Sequence, residues 1–287
     1  MTFQLFAHKA MRKIGRGLTR CYVALSKGRM GLNHGTPNCP RVIVSMTTYS
    51  ARFSTVHRVI ESLLVQFHRP DKVIIWLDED VRVEDLPASM LRFKAYGVEF
   101  IPAQGRYKPH KKYLHAMEAY PEDIIITVDD DILYPPTLVG NLLKTYKRHP
   151  GCVCARRVHR MTAENGTLKA YHQWDGECRS VKTPDNALMA TGVGGVLYPP
   201  HCVGPEAFNR EKIVSLCLNA DDVWLKCMEL LHGTKVVWSP CIVEMPEILE
   251  GSQETSLMST NVDQNQNAVL LRQVMNHYGI KDTDFFS

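Results

Sequence analysis

Ile124-Ile125-Ile126-Thr127-Val128-Asp129-Asp130-Asp131 is an unbroken apolar strand that ends in three adjacent carboxylates. Side chains alternate along an extended strand, so Asp129 and Asp131 point one way and Asp130 the other. Two like charges about 4 Å apart repel by roughly 4 kcal/mol at the effective dielectric of a protein surface. A divalent cation held by hard oxygen ligands is the economical way to offset that repulsion. A solvated acidic loop after a strand has the same look, and the rest of the chain decides between the two.

Upstream of this stretch, strand and helix alternate. Val42–Met46 is a short apolar strand, and Ser54–Phe67 reads as a helix whose buried stripe is Val56, Val59, Ile60, Leu63 and Leu64. Val73–Leu77 is a second strand, closed by Asp78-Glu79-Asp80. A helix around Asp85–Tyr96, a strand at Val98–Ile101 and a helix at Lys111–Ala119 lead into Ile124. This spacing predicts an α/β fold, with a Rossmann-like, mostly parallel central sheet and helices on both faces. Ligands of such sheets sit beyond the carboxyl ends of the strands. Thr47-Thr48-Tyr49, Asp78 and the aspartate triplet all converge on that rim.

Downstream, Pro135-Pro136 opens a helix at Thr137–Lys147, and 152–172 reads as a hairpin around the Asn165-Gly166 turn. The run Thr191-Gly192-Val193-Gly194-Gly195 is neither GxGxxG nor GxxxxGK[ST], which argues against a dinucleotide or P-loop fingerprint. Gly194 and Gly195 are read instead as letting backbone lie close to a flat ligand such as a sugar. Asn219-Ala220-Asp221-Asp222 enters an amphipathic helix stopped by Gly233, followed by a strand at Lys235–Trp238 and a helix at Gln264–Tyr278. Acids in a first helical turn are commonly dipole partners or caps.

The 287 residues carry a net charge of +4, very unevenly spread. Lys9, Arg12, Lys13, Arg16, Arg20, Lys27 and Arg29 precede residue 40 with no acid among them, so the remainder is net negative. That distribution argues against a nucleic-acid groove. At helical spacing Phe3, Phe6, Ala10, Ile14, Leu18, Cys21 and Leu25 share one side of residues 3–27, opposite Lys9, Lys13, Arg16, Arg20 and Lys27. Such a segment suits an anionic membrane surface, and a disordered basic tail or a transit peptide are the alternatives. No stretch is long and apolar enough to span a bilayer. Nine cysteines without a CxxC pair imply reduced thiols and a cytoplasmic protein, peripheral on the inner face of the plasma membrane if residues 3–27 bind there. Residues 1–40 are thus a basic segment and linker, and 41–287 one catalytic domain with its halves meeting near residue 135.

Three motifs in order carry a family resemblance. VIVSMTTYSAR (residues 42–52), IITVDDDILYPP (125–136) and NADDVWLKCMELLHGTKVVWSP (219–240) resemble the GT-A fold glycosyltransferases. The likeness is to the inverting group that includes bacterial cell-surface polysaccharide transferases and the cellulose and hyaluronan synthases. It runs from about Arg41 to Pro240. Asp221-Asp222 stands where that group has Glu-Asp, and Ser50 where it has Asn. No QxxRW motif is present, which points to transfer of single sugars.

The resemblance implies a nucleotide-diphosphate sugar as donor and a glycan or lipid-linked acceptor, in surface polysaccharide synthesis. Thr48, Tyr49, Arg52, Asp78, Lys111, Lys112 and Asp130 are the expected donor-binding set, with Tyr49 flanking the base and Asp78 accepting from base or ribose. Asp129 and Asp131 would hold Mg²⁺ or Mn²⁺ against the diphosphate, and which of the three aspartates ligates directly stays open. Asp222 would be the general base and Asp221 its orienting partner. Gly194, Gly195 and Trp174 would border the acceptor, Trp174 as a stacking platform. A metal-dependent nucleotidyltransferase or a degenerate glycan-binding protein would share some of these features.

Overall fold

The computed structural model describes residues 2–36, 39–241, 247–249 and 266–287, and side chains are described from Lys13 onward, Glu247 excepted. In chain order the first half comprises α1 (Thr2–Leu25), β1 (Val42–Thr47), α2 (Val56–Leu64), β2 (Lys72–Leu77), α3 (Ala88–Leu91), β3 (Val98–Pro102), α4 (Lys111–Ala119) and β4 (Ile124–Val128). The second half adds β5 (Ile132–Leu133), α5 (Leu138–Arg148), β6 (Val153–Ala155), β7 (Val158–Arg160), β8 (Ala163–Glu164), β9 (Thr167–Leu168), β10 (Leu188–Ala190) and β11 (Val196–Tyr198). α6 (Arg210–Leu216), α7 (Asp221–His232), β12 (Val236–Trp238), β13 (Glu247–Ile248) and α8 (Gln266–Tyr278) complete it.

Among the described residues seven strands form one sheet in the order β12-β6-β11-β4-β1-β2-β3. Every neighbouring pair is parallel except those of β11, which runs antiparallel between β4 and β6. The fold is the α/β, mostly parallel arrangement expected from the alternation of elements. Alternation within the strands sorts side chains to two cores, as period 2 requires. Ile43, Ile125 and Val196 face the core shared with Tyr113, Trp224 and Met275, on the side of α4, α7 and α8. Val42, Val44, Ile126 and Val128 face the core containing Ile60, Leu63, Phe93 and Leu142, on the side of α2, α3 and α5.

Two expectations are corrected. The helix expected at Asp85–Tyr96 is one α turn, α3, followed by a 3-10 segment at Arg92–Tyr96 that Gly97 ends at φ +86°. Residues 152–172 are not a single hairpin. Val153-Cys154-Ala155 is buried throughout and therefore enters the central sheet, while β7 pairs with β10 and only β8–β9 close on the Asn165-Gly166 turn. Of the final helix, the expected start at Gln264 lies outside the described residues.

Candidate functional site

Three chain segments meet at the carboxyl rim of the sheet. β1 ends in Thr47-Thr48, β4 ends in the aspartate triplet, and α4 begins just beyond them. The first turn of α4 is fixed to the sheet by Ser45, whose buried hydroxyl donates to the Lys112 carbonyl and accepts from the Trp76 indole N–H at 2.9 Å. That anchoring sends the Lys111 and Lys112 side chains across the rim, and both are buried. Lys111 pairs with Asp78 at the end of β2. Lys112 donates to Asp129 Oδ1 at 2.8 Å.

Opposite this rim stands the first turn of α7. Its acids favour a helix N-terminus, Gly233 in the left-handed region closes the far end, and buried Trp224 ties the helix to the Ala207 carbonyl at 3.0 Å. Asp221 Oδ2 lies 2.9 Å from Lys112 Nζ, so a single ammonium joins the strand-end aspartate to the helix-start aspartate. Asp222 is held from its other side, where the Gly192 N–H donates to both carboxylate oxygens at 3.2 and 3.1 Å. A Cβ on Gly192 would sit 3.1 Å from Lys112 Nζ and 3.2 Å from both Asp129 oxygens, so this position has no room for a side chain without displacing them.

The neighbouring aspartates are neutralised differently. Asp130 accepts from the Thr48 hydroxyl at 2.7 Å. Asp131 Oδ2 lies 3.0 Å from the Arg52 guanidinium, which also reaches Asp130 at 4.0 Å. Arg52 in turn lies over the Tyr49 ring and donates to its hydroxyl at 3.3 Å. The cations expected to meet phosphate are thus already engaged with the aspartates, because clustered, half-buried carboxylates need compensating charge from the protein itself.

Burial and like charge order the proton affinities. Burial pushes Asp130 up to about 6 against the pull of Thr48 and Arg52. Burial also raises Asp131, with Asp129 adding to the effect. Burial and the adjacent Asp221 raise Asp222, with only partial relief from Lys112. Burial alone would raise Asp221 as well, but Lys112 and His110 outweigh it and hold Asp221 low. Burial likewise opposes the charge on Lys112, yet Asp129, Asp221 and Asp222 together raise its pKa well above the ordinary value. Of the two adjacent carboxylates, Asp222 thus has the higher proton affinity, while Asp221 stays low beside the Lys112 ammonium.

Among the described residues no group of three or more His, Cys, Asp or Glu side chains could by itself hold a metal. Asp129 and Asp131 nevertheless fit one. Each has an oxygen outside the pairs just described, both are hard donors, and both side chains are partly exposed. One or two carboxylates completed by substrate phosphates is the usual way Mg²⁺ is held.

The structure thus brings together Thr48, Arg52, Lys112, Asp129, Asp130, Asp131, Asp221 and Asp222, with Asp78 and Lys111 alongside. The acceptor-side expectations are corrected. A Cβ on Gly194 would lie 2.8 Å from Arg156 Cβ and 3.1 Å from the Arg157 backbone nitrogen, and one on Gly195 would lie 2.9 Å from Leu138. Both glycines serve packing within the protein, and it is Gly192 that faces the carboxylates. Trp174 is only 8 % exposed, packed 4.7 Å from Tyr171 with its N–H on the Lys169 carbonyl, so it offers no open face. Sequence reasoning missed Gly192 as the Asp222 partner and His110 as the buried neighbour of Asp221. Gly192 stood within the glycine run already singled out; nothing in the spacing marked His110.

Residues 43–196 match the family model described as Glycosyl transferase family 2, over half of the chain. No curated protein matches the chain significantly. Among solved structures, the mannosyltransferase PcManGT from Pyrobaculum calidifontis in complex with GDP-Man and Mn²⁺ is similar at 14 % identity and a TM-score of 0.47, covering 94 % of this chain and 74 % of that one. S. aureus TarS 1-349 is similar at 11 % identity and a TM-score of 0.46, covering 85 % of this chain and 73 % of that one. At such identities and TM-scores the family assignment rests on the sequence match.

Proposed function

The chain belongs to Glycosyl transferase family 2 and is a glycosyltransferase, and we propose that it is a metal-dependent, inverting enzyme moving one sugar from a nucleotide-diphosphate sugar to a glycan or lipid-linked acceptor. One observation carries this reading: Lys112 joins Asp129 to Asp221 across 2.8 and 2.9 Å, which sets the aspartates that end β4 beside the carboxylate that opens α7. A donor phosphate at the strand-end aspartates and an acceptor hydroxyl at Asp222, the next residue of α7, would then lie within reach of each other.

In this mechanism Thr48, Tyr49, Asp78 and Lys111 form the donor side of the rim, in the half of the domain up to residue 135. Asp129 and Asp131 would hold Mg²⁺ or Mn²⁺, whose chemistry is to neutralise charge on the leaving diphosphate. Asp222 accepts the proton of the acceptor hydroxyl as its oxygen attacks the anomeric carbon opposite the diphosphate. One displacement inverts the anomeric configuration. The Gly192 N–H orients the Asp222 carboxylate, and Asp221 holds the Lys112 ammonium beside it. Arg52 opposes the protonation that burial favours at Asp130 and Asp131.

Nine free cysteines support a reducing, cytoplasmic setting. Among the described residues no helix is long and apolar enough to cross a membrane. We place the reaction in surface polysaccharide synthesis at the inner face of the plasma membrane, with the protein peripheral there.

The test is product analysis with a panel of nucleotide sugars and Mn²⁺. Release of nucleoside diphosphate with an inverted glycoside supports the reading. Pyrophosphate release would indicate nucleotidyl transfer, and retained configuration would remove the single-displacement role of Asp222.

A further inference from the structure

Helix α1 is amphipathic, yet from Ile14 to Leu25 its apolar stripe does not turn to the protein. Its packed face is Gly15, Thr19 and Val23, all buried, and Ser26 just after the helix is buried as well. Tyr22 meets Phe67 edge-on at 5.2 Å, and Lys27 lies 3.5 Å from Glu61. The chain after the helix is fixed as well: the Gly31 N–H donates to the Leu64 carbonyl at 3.0 Å, the Asn33 N–H to the Pro70 carbonyl at 2.9 Å, and Arg69 to the Arg29 carbonyl at 2.7 Å. These contacts set the rotation of the helix about its axis.

With that rotation set, Ile14, Leu18, Cys21 and Leu25 face outward. Ile14 and Leu18 are each 63 % exposed and Leu25 is 86 % exposed, with Cys21 exposed between them. At about 100° per residue the four fall within an arc of roughly 60° and extend about 16 Å along the helix. Exposed Lys13 and Arg20 lie about 110–130° round from the centre of the stripe, at the height where lipid headgroups meet an interfacial helix. An aligned apolar row exposed to water needs a partner.

The structure assigns this face to an anionic lipid surface. The opposing charge comes from the partner, since residues 1–40 hold seven Lys and Arg and no Asp or Glu. A second copy presenting the same helix would bring like charge against like, which argues against self-docking. The stripe would enter the acyl boundary while the basic side chains snorkel to the headgroups. This supplies the surface for the synthesis proposed above and deepens that reading; lipid binding is measured without turnover, so the two fail separately.

The test is sedimentation of the full chain with phosphatidylcholine vesicles, with and without phosphatidylglycerol, at low and high salt. Wild type should partition roughly tenfold more strongly onto the anionic vesicles, and lose that preference in high salt. Ile14→Glu/Leu18→Glu should lower partitioning by roughly tenfold or more at an unchanged melting temperature, because both side chains are exposed. Lys13→Gln/Arg20→Gln should lower it less and reduce its salt dependence. Equal sedimentation of wild type and the Glu variant would overturn the assignment, as would equal binding to neutral and anionic vesicles. A lipid-free dimer that the Glu variant dissolves would overturn it in favour of a second copy.

Discussion

Lys112 on α4 reaches Asp221 at the start of α7 across 2.9 Å, one of the contacts that join the two halves of the site. Lys112→Met would leave Asp129, Asp221 and Asp222 without their shared cation. Removing one partner of a buried pair costs about 3–5 kcal/mol, so the melting temperature should fall clearly at pH 7. The loss should shrink at acid pH, where the carboxylates take up protons and no longer repel. Calorimetry across pH checks both; a melting temperature equal to wild type at pH 7 would show that Lys112 is not holding this cluster.

Asp222→Asn keeps the shape and the Gly192 contact of the side chain but removes its basicity. Donor affinity should remain, and turnover should fall by on the order of 10²-fold or more. Titration of donor alongside steady-state kinetics separates the two effects. Turnover near wild type would move the base elsewhere.

The proton affinity of Asp222 adds a pH signature. Burial and Asp221 push it up to about 8, and a general base acts only when deprotonated. Below that value kcat/KM should therefore rise with pH, about tenfold per unit, and level off above it. The Asn variant should lose this limb. A wild-type profile flat from pH 6 to 8 would contradict the assignment.

The fold was largely legible before the structure. Strand ends such as Ile124–Val128 and helices such as Lys111–Ala119 were found because their apolar periodicity is set by the same burial that forms them. The placement of Asp129, Asp131 and Asp222 at one rim was legible for a related reason: carboxylates at strand ends and helix starts lie at the edge of a parallel sheet. What stayed hidden depends on long-range contacts. Lys112 read as a phosphate ligand because nothing local shows that Asp221, more than a hundred residues later, comes to lie beside it. Gly194 and Gly195 read as sugar-facing because glycine signals a close approach without naming what approaches. The outward rotation of α1 follows from Tyr22 meeting Phe67, again a pairing that helical spacing cannot supply.

Away from the site, Lys226 and Glu229 on α7 are buried at 0 % and 1 % exposure with their charged atoms 3.9 Å apart. Burial lowers Lys226 and pushes Glu229 up to about 7. Glu229→Leu alone should destabilise by about 3–5 kcal/mol, by leaving a buried ammonium unpaired. Lys226→Met with Glu229→Leu should restore most of that, since an apolar pair of similar volume is often neutral or better. A denaturant double-mutant cycle measures the coupling, and additive losses would show that the pair does not interact.

Asp129 and Asp131 are proposed to grip a cation that in turn grips the donor diphosphate. Isothermal titration of nucleoside diphosphates into wild type and Asp131→Asn, with Mn²⁺ or with EDTA, tests it most directly. Wild type should bind at least one nucleoside diphosphate with Mn²⁺ and lose most of that affinity in EDTA, while Asp131→Asn should show the weak affinity in both. Equal affinity of wild type with and without the metal, or an Asp131→Asn protein that keeps the full Mn²⁺ effect, would contradict the account.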